Sequence, residues 1–241
     1  MKLNEMNSAL QGLREKYAVQ AEGVLVAASN EAWGAAAELV VNGKPCKLLP
    51  WRVERRFCEL KKLVDGKTLE NLSTLRFASM KNGGKIESLL YRELDLCAYL
   101  GESQVRSIFT VLNGPTANLI VKLADGKSCS VECSAALPAG TAPMDRHELI
   151  ARRGVACDRT VDTQVPQASI YEFTANGEKR YTDTDAELFG FENDEILLIR
   201  AAYALLSNPA LADEWNGIDA LVTRQVADAL ATDKTGKPVI Y

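Results

Sequence analysis

The sequence predicts a chain of two parts. A small α/β front portion covers residues 1–66, and a larger α+β rear portion covers residues 67–241, with an open, mostly antiparallel sheet flanked by helices. Three observations predict this. Helical and strand-like patterns alternate from Asn4 to Pro50, the order expected of a parallel α/β layer. From Gln104 onward the texture changes to short strand patterns separated by turn dipeptides, which indicates antiparallel pairing. Between them lies GGKIESLLYRELDLCAYLG, Gly83 to Gly101, an amphipathic helix.

Taken in order, Asn4–Val19 is expected to be helical, with Leu10, Leu13 and Tyr17 on its buried side. Gly23–Ala28 is a continuous apolar run, as in a strand covered on both faces. Ser29 and Asn30 are natural N-caps, so Glu31–Val41 is expected to continue as an Ala-rich helix that Asn42-Gly43 stops. Pro45–Pro50 reads as a second short strand, Val53–Val64 as a helix ended by Asp65-Gly66, and Leu72–Met80 as a strand. The seam between the portions falls within residues 66–82.

In the helix from Gly83 to Gly101, which Gly101 is expected to stop, Ile86, Leu89, Leu90, Leu94, Cys97 and Leu100 recur at helical spacing and face a core. Ser88, Arg92, Asp95 and Tyr99 form a polar stripe, because residues three and four apart stack along a helix. Strands are expected over Val105–Leu112, Ala117–Leu123, Ser128–Leu137, Arg146–Ala151, Val155–Thr160 and Ala168–Phe173. Asn113-Gly114-Pro115, Asp125-Gly126 and Asn176-Gly177 are turn signals. Helices over Asn193–Leu206 and Ile218–Ala231, separated by Asn208-Pro209, finish the chain.

The composition is that of an ordinary globular protein, with 25% charged and 47% hydrophobic residues. A net charge of −4, with no basic cluster, argues against a nucleic-acid or anionic-membrane partner. No apolar run approaches the roughly 20 residues that span a bilayer, and the polar first residues lack a signal-peptide core, so a cytoplasmic location is expected. The six cysteines include no CxxC, and Cys129, Cys133 and His147 lack the usual zinc-ligand spacing. Buried thiols in a reducing compartment, and no metal, are expected.

Several of these segments carry a family resemblance. GGKIESLLYRELDLCAYLGE, ANLIVKLADGKSCSVECSAALPAG, RHELIARRGVACD and ALVTRQVADALATDKTGKPV, in that order and spacing, resemble the glucose–fructose oxidoreductase, inositol dehydrogenase and MocA-like (Gfo/Idh/MocA) family. The resemblance implies a truncated Rossmann-like front portion and a rear domain that binds substrate and associates through its sheet. VLVAASNEAWGAAAELVVNGK is similar to the segment that lies near the nicotinamide in the family. The lysine motif that should follow is not there: Leu48 and Leu49 occupy its place in one register. In the preferred register Arg56-Phe57 matches the family's next strand and the lysine segment is absent.

Counted from Gly83-Gly84, the resemblance places the family's catalytic Asp and His at Ser88 and Arg92. An arginine cannot release its proton at neutral pH and so cannot act as general base. The sole histidine, His147, is expected on a strand with a hydrogen-bonded ring. The glycine-rich turn that brings backbone N–H groups to a pyrophosphate is also missing, with Gly34 alone after the first apolar run. No catalytic residue and no bound cofactor are therefore expected. NAD or NADP belongs to the alternative of a working oxidoreductase completed by a partner subunit.

Candidate ligand residues are Ser88, Arg92, Asp95, Tyr99, Trp51 and Arg56. Arg92 and Asp95 either hold a carboxylate or sugar-like polyol or form an i,i+3 ion pair on a solvated face. Arg55 and Arg56 either meet an anionic ligand at the seam or neutralise Glu54 and Glu59. Trp51 either lines a pocket or bridges the two portions. Asp183 and Asp185 are expected to cap a helix. The resulting expectation is a non-catalytic sugar-binding or assembly subunit, dimeric through an exposed apolar face of the rear sheet. A purely structural partner of a full-length relative is a further alternative.

Overall fold

The computed structural model describes residues 1–29, 33–158, 170–174, 177–181 and 186–241. Helix α1 (Leu3–Lys16) buries Met6, Ala9, Leu10 and Leu13, as its spacing requires. Tyr17 falls just past the helix and is half exposed, against expectation. Strands β1 (Val24–Ala27), β2 (Ala37–Val41) and β3 (Lys44–Lys47) form a three-stranded sheet in that order, antiparallel throughout.

This corrects two expectations for the front portion. The helix expected over Glu31–Val41 is replaced over its second half by β2, and the parallel layer by a meander. Asn42-Gly43 is the cause: both residues have positive φ, 51° and 74°, which makes a two-residue hairpin turn rather than a helix stop. With that turn fixed, Ala37 and Leu39 alternate into the core with period two, overriding the alanine-rich composition. Strand β1 is covered on one side only, with Leu25 buried and Val24 54% exposed. The expected cap at Asn30 lies outside the described residues.

A 3-10 turn over Pro50–Val53 leads into α2 (Arg55–Asp65), whose Phe57, Leu60 and Val64 are buried. Strand β4 (Glu70–Met80) follows, then α3 (Ile86–Gly101), the helix predicted from Gly83 to Gly101. Its stop differs from expectation. Glu102 takes the left-handed cap position at φ 52°, while Gly101 is still helical, and a Cβ there would overlap the Leu123 side chain. Gly101 therefore serves close packing on the sheet.

Strands β5 (Val105–Asn113), β6 (Thr116–Leu123), β7 (Ser128–Ser134), β8 (Met144–Arg153) and β9 (Val155–Cys157) build the rear sheet. Strands β10 (Ile170–Thr174) and β11 (Gly177–Tyr181) pair separately as an antiparallel hairpin. Helices α4 (Asn193–Ser207) and α5 (Ala210–Thr235) precede the short strand β12 (Val239–Ile240). Helix α5 begins eight residues before the predicted Ile218, directly after Pro209. Asp183 and Asp185 lie outside the described residues.

The rear sheet has seven strands in the order β12-β5-β6-β7-β4-β8-β9, and only β4 and β7 are parallel. Its inner face carries Leu75, Phe77, Ile108, Leu119, Val121, Val131 and Leu149, covered by α3 and α5. Cys97, Cys129 and Cys133 are buried in this core, as small apolar side chains are, whereas against expectation Cys58 is half-buried and Cys157 exposed. The outer face is mixed rather than apolar: Ile120 and Val111 are exposed beside Asn118, Lys122, Glu132 and Arg76. One continuous core joins both portions, with Leu25, Leu39 and Trp51 in the same cluster as Leu198 and Trp215.

Candidate functional site

Helix α3 is where chemistry is expected, and its charged side chains lead into two clusters. The first is set up by the pairing of β4 with β8. Ser79 stands opposite Asp145 and Phe77 opposite His147, so both β8 side chains point inward beneath α3. Arg92 reaches down from the helix and donates to both Asp145 oxygens, at 2.7 and 3.0 Å, and to the Ser79 hydroxyl at 2.7 Å. It also donates to Glu93 at 2.8 Å.

Glu93 continues the chain of contacts, its other oxygen lying 2.9 Å from His147 Nε2. His147 Nδ1 lies 2.5 Å from Asp158, which also accepts the His147 backbone N–H. Arg56, on α2, donates to Asp158 at 3.3 Å and to Asp145 at 2.9 Å, which closes the circuit. Arg56, Asp145, Arg92, Glu93, His147 and Asp158 thus form a ring of alternating sign.

The ring fixes the protonation of its members. Burial alone would push the Glu93 carboxyl up, but Arg92 and His147 hold it below the ordinary carboxylate value. Burial would likewise raise Asp145 and Asp158; hydrogen bonds from Arg92 and Arg56 lower the first, and His147 lowers the second. Burial works to discharge His147, yet Glu93 and Asp158 push its pKa up to about 9. At neutral pH His147 is therefore an imidazolium with both nitrogens engaged and a fully buried side chain.

The second cluster lies one turn further along α3. Asp95, 1% exposed, accepts the Trp51 indole N–H at 2.6 Å and a two-pronged contact from Arg52 at 2.7 and 2.9 Å. Arg52 stacks over Tyr99 at 4.6 Å and reaches Glu214 on α5 at 3.4 Å. Trp51 packs edge-on against Tyr91, whose hydroxyl donates to Asp219 at 2.7 Å. Trp51 thus bridges the two portions of the chain.

The six predicted ligand residues are therefore divided. Trp51, Asp95 and Tyr99 meet around Arg52, while Arg56 and Arg92 meet at Asp145. Ser88 is half-exposed near the start of α3, with neither cluster reaching its side chain among the contacts described. The expected Arg92–Asp95 pair is replaced by these two clusters, because each side chain finds a partner from another element. Arg55 is exposed, whereas Arg56 pairs with Glu54 as expected and, beyond expectation, with Asp145 and Asp158. His147 has the expected hydrogen-bonded ring, on strand β8, and lies beside α3.

Sequence reasoning missed Arg52, Ser79, Glu93, Asp145 and Asp158. Glu93 had a signal: it is in helical phase with Leu89, Leu96 and Leu100, and a charge on a core-facing stripe requires a buried partner. Elsewhere, a small pocket of about 10 Å³ is lined by Gly34, Ala35, Ala37, Glu38, Lys47, Leu48 and Asp219, none of them a predicted ligand residue. Among the described residues no cluster of His, Cys, Asp and Glu is placed to hold a metal, and no helix is long and apolar enough to cross a membrane. The first strand, β1, is followed in the chain by another strand, β2, and not by a helix.

No protein-family model and no curated protein matches the sequence. Solved structures do match. A putative myo-inositol dehydrogenase from Sinorhizobium meliloti aligns at TM-score 0.58 and 14% identity, over 80% of this chain and 64% of its own. A probable dehydrogenase from Thermotoga maritima aligns at 0.58 and 16%, over 79% and 63%. The scyllo-inositol dehydrogenase from Lactobacillus casei, solved with NAD(H) and scyllo-inositol, aligns at 0.53 and 14%, over 79% and 63%. This chain thus spans less than two thirds of the length of these enzymes. Over about four-fifths of its own residues it has the open-sheet α/β fold of the inositol dehydrogenases of the glucose–fructose oxidoreductase, inositol dehydrogenase and MocA-like family.

Proposed function

We propose that this chain is a non-catalytic relative of these dehydrogenases that acts as an assembly or sugar-binding subunit, forming a homodimer through the rear sheet. One observation carries the reading: Arg92, at the position where the family resemblance puts the general base, is bound to Asp145, Glu93 and Ser79. A guanidinium has no lone pair to accept a substrate proton. His147, the chain's single imidazole, is held protonated between two carboxylates, so it does not take over that role. The same contacts favour assembly over binding, because five of the six candidate ligand residues already contact charged or aromatic side chains of the chain itself. The working-oxidoreductase alternative would need a partner to bring both the nucleotide site and a base.

Thermal-shift measurements with NAD, NADP and a panel of sugars and cyclitols, together with sedimentation of the free chain, test this proposal. The expected outcome is a dimer with no rise in melting temperature from either nucleotide. A rise with a cyclitol alone assigns the subunit to binding, and no rise with any compound assigns it to assembly. Reproducible stabilisation by NAD or NADP alone overturns it. Ile120→Glu, on the outer sheet face, is expected to shift the dimer toward monomer.

A further inference from the structure

The Asp145 carboxylate is held as a bound ligand would be. Arg92 grips both of its oxygens with a fork, at 2.7 and 3.0 Å, Arg56 donates to one of them at 2.9 Å, and the Ser79 hydroxyl donates to the other at 2.8 Å. An ordinary ion pair needs one cation, whereas two guanidiniums and a hydroxyl converging on one carboxylate form a donor set suited to recognising a free one. None of the three donors depends on Asp145 alone for its place. Arg92 is also tied to Glu93, and Arg56 to Glu54 and Asp158, while Ser79 sits buried on β4 and accepts from Arg92. The cage also meets water: the Asp145 side chain is 22% exposed and follows the exposed Met144 at the start of β8.

We propose that Arg56, Ser79 and Arg92 form a binding site for a small monocarboxylate, which Asp145 fills from within the chain and closes to free ligands. This site deepens the non-catalytic reading and rests on it in one respect, that Arg92 binds an anion rather than transferring a proton. An attached carboxylate loses no translational freedom on binding, so a free one competes poorly with it. The wild-type chain is therefore expected to take up neither formate nor a sugar acid here. Asp145→Gly makes room for one, because the side chain removed contains a carboxylate and a further carbon, more than formate occupies.

Thermal-shift titration of Asp145→Gly with sodium formate, against sodium chloride of equal ionic strength, tests this. A saturable rise of roughly 3–6 °C is expected at a tenfold excess of formate over its dissociation constant. No such rise is expected in the wild-type chain, or in Asp145→Asn, whose amide still fills the cage. Adding Arg56→Gln to Asp145→Gly is expected to weaken formate binding about tenfold, since one guanidinium has gone. Should Asp145→Gly be unfolded in chloride, recovery of the folded state as formate is added supports the proposal, and no recovery overturns it. A folded Asp145→Gly that ignores formate also overturns it, as does a response that wild type shares or that Arg56→Gln leaves unchanged. Nucleotide binding by the wild-type chain bears on the non-catalytic reading alone, so the two fail separately.

Discussion

The ring around Arg92 and the cluster around Asp95 start from side chains one turn apart on α3, yet they are organised differently. The ring closes on itself, and its Glu93, His147 and Asp158 side chains are at most 1% exposed. The Asp95 cluster is open: it runs outward through Arg52 to Glu214, whose side chain is 53% exposed. Taking Glu93 out of the ring leaves the fully buried His147 short of a partner; water reaches the ring at Arg56, Asp145 and Arg92, and the Asp95 cluster at its Glu214 end. The comparison predicts a graded series of effects.

Glu93→Gln is expected to have the largest. It leaves Arg92 and His147 facing a neutral amide in a buried setting, and losing one partner of such a pair costs about 3–5 kcal/mol. Denaturant unfolding checks this, and a loss under about 1 kcal/mol would place the ring among surface ion pairs.

The next effect is in the pH dependence. His147 has its folded pKa raised to about 9 from an ordinary 6.5. A group raised on folding gives its full stabilisation below pH 6.5 and loses it as pH climbs through about 9. About 3 kcal/mol should therefore disappear across that window, each pKa unit being worth about 1.4 kcal/mol. His147→Gln is expected to flatten this part of the stability profile while lowering stability at pH 6.

Asp95→Asn comes third. It keeps an acceptor for the Trp51 indole but withdraws the charge that Arg52 grips, at a cost of about 2 kcal/mol. Unfolding followed by tryptophan fluorescence measures it, and a cost equal to that of Glu93→Gln would erase the distinction between the clusters. Ser88→Ala, the smallest, is expected to change stability by no more than about 0.5 kcal/mol.

How much of this the sequence reveals depends on which portion is considered. In the rear portion local signals and tertiary structure agree: Asp125-Gly126 turns β6 into β7, and Leu119, Val121 and Leu123 alternate inward. In the front portion Ala35–Ala37 and Glu38 suit a helix, and only the positive φ values at Asn42 and Gly43 decide for a hairpin. That decision depends on packing against the core, because Asn-Gly ends helices as readily as it turns strands.

The site was half legible. Helical phase isolates Arg92 and Asp95, whereas the 3-10 turn carrying Trp51 begins at Pro50, which the sequence pattern makes the end of a strand. The partners Asp145 and Asp158 become visible only once the β4–β8 register puts Ser79 opposite Asp145. Each ring contact except Arg92–Glu93 joins residues at least 11 positions apart in sequence. Spacing along the chain carries no trace of such a pairing.

Because the chain has a single histidine, the protonation of His147 can be followed by NMR without assignment ambiguity. A pH titration of its imidazole nitrogens measures whether the charged groups beneath α3 are locked to one another. The ring predicts both nitrogens protonated through neutrality, with a midpoint near 9. A midpoint at or below 6.5 would mean a neutral imidazole beside α3 that is free to accept a proton, and would contradict the account.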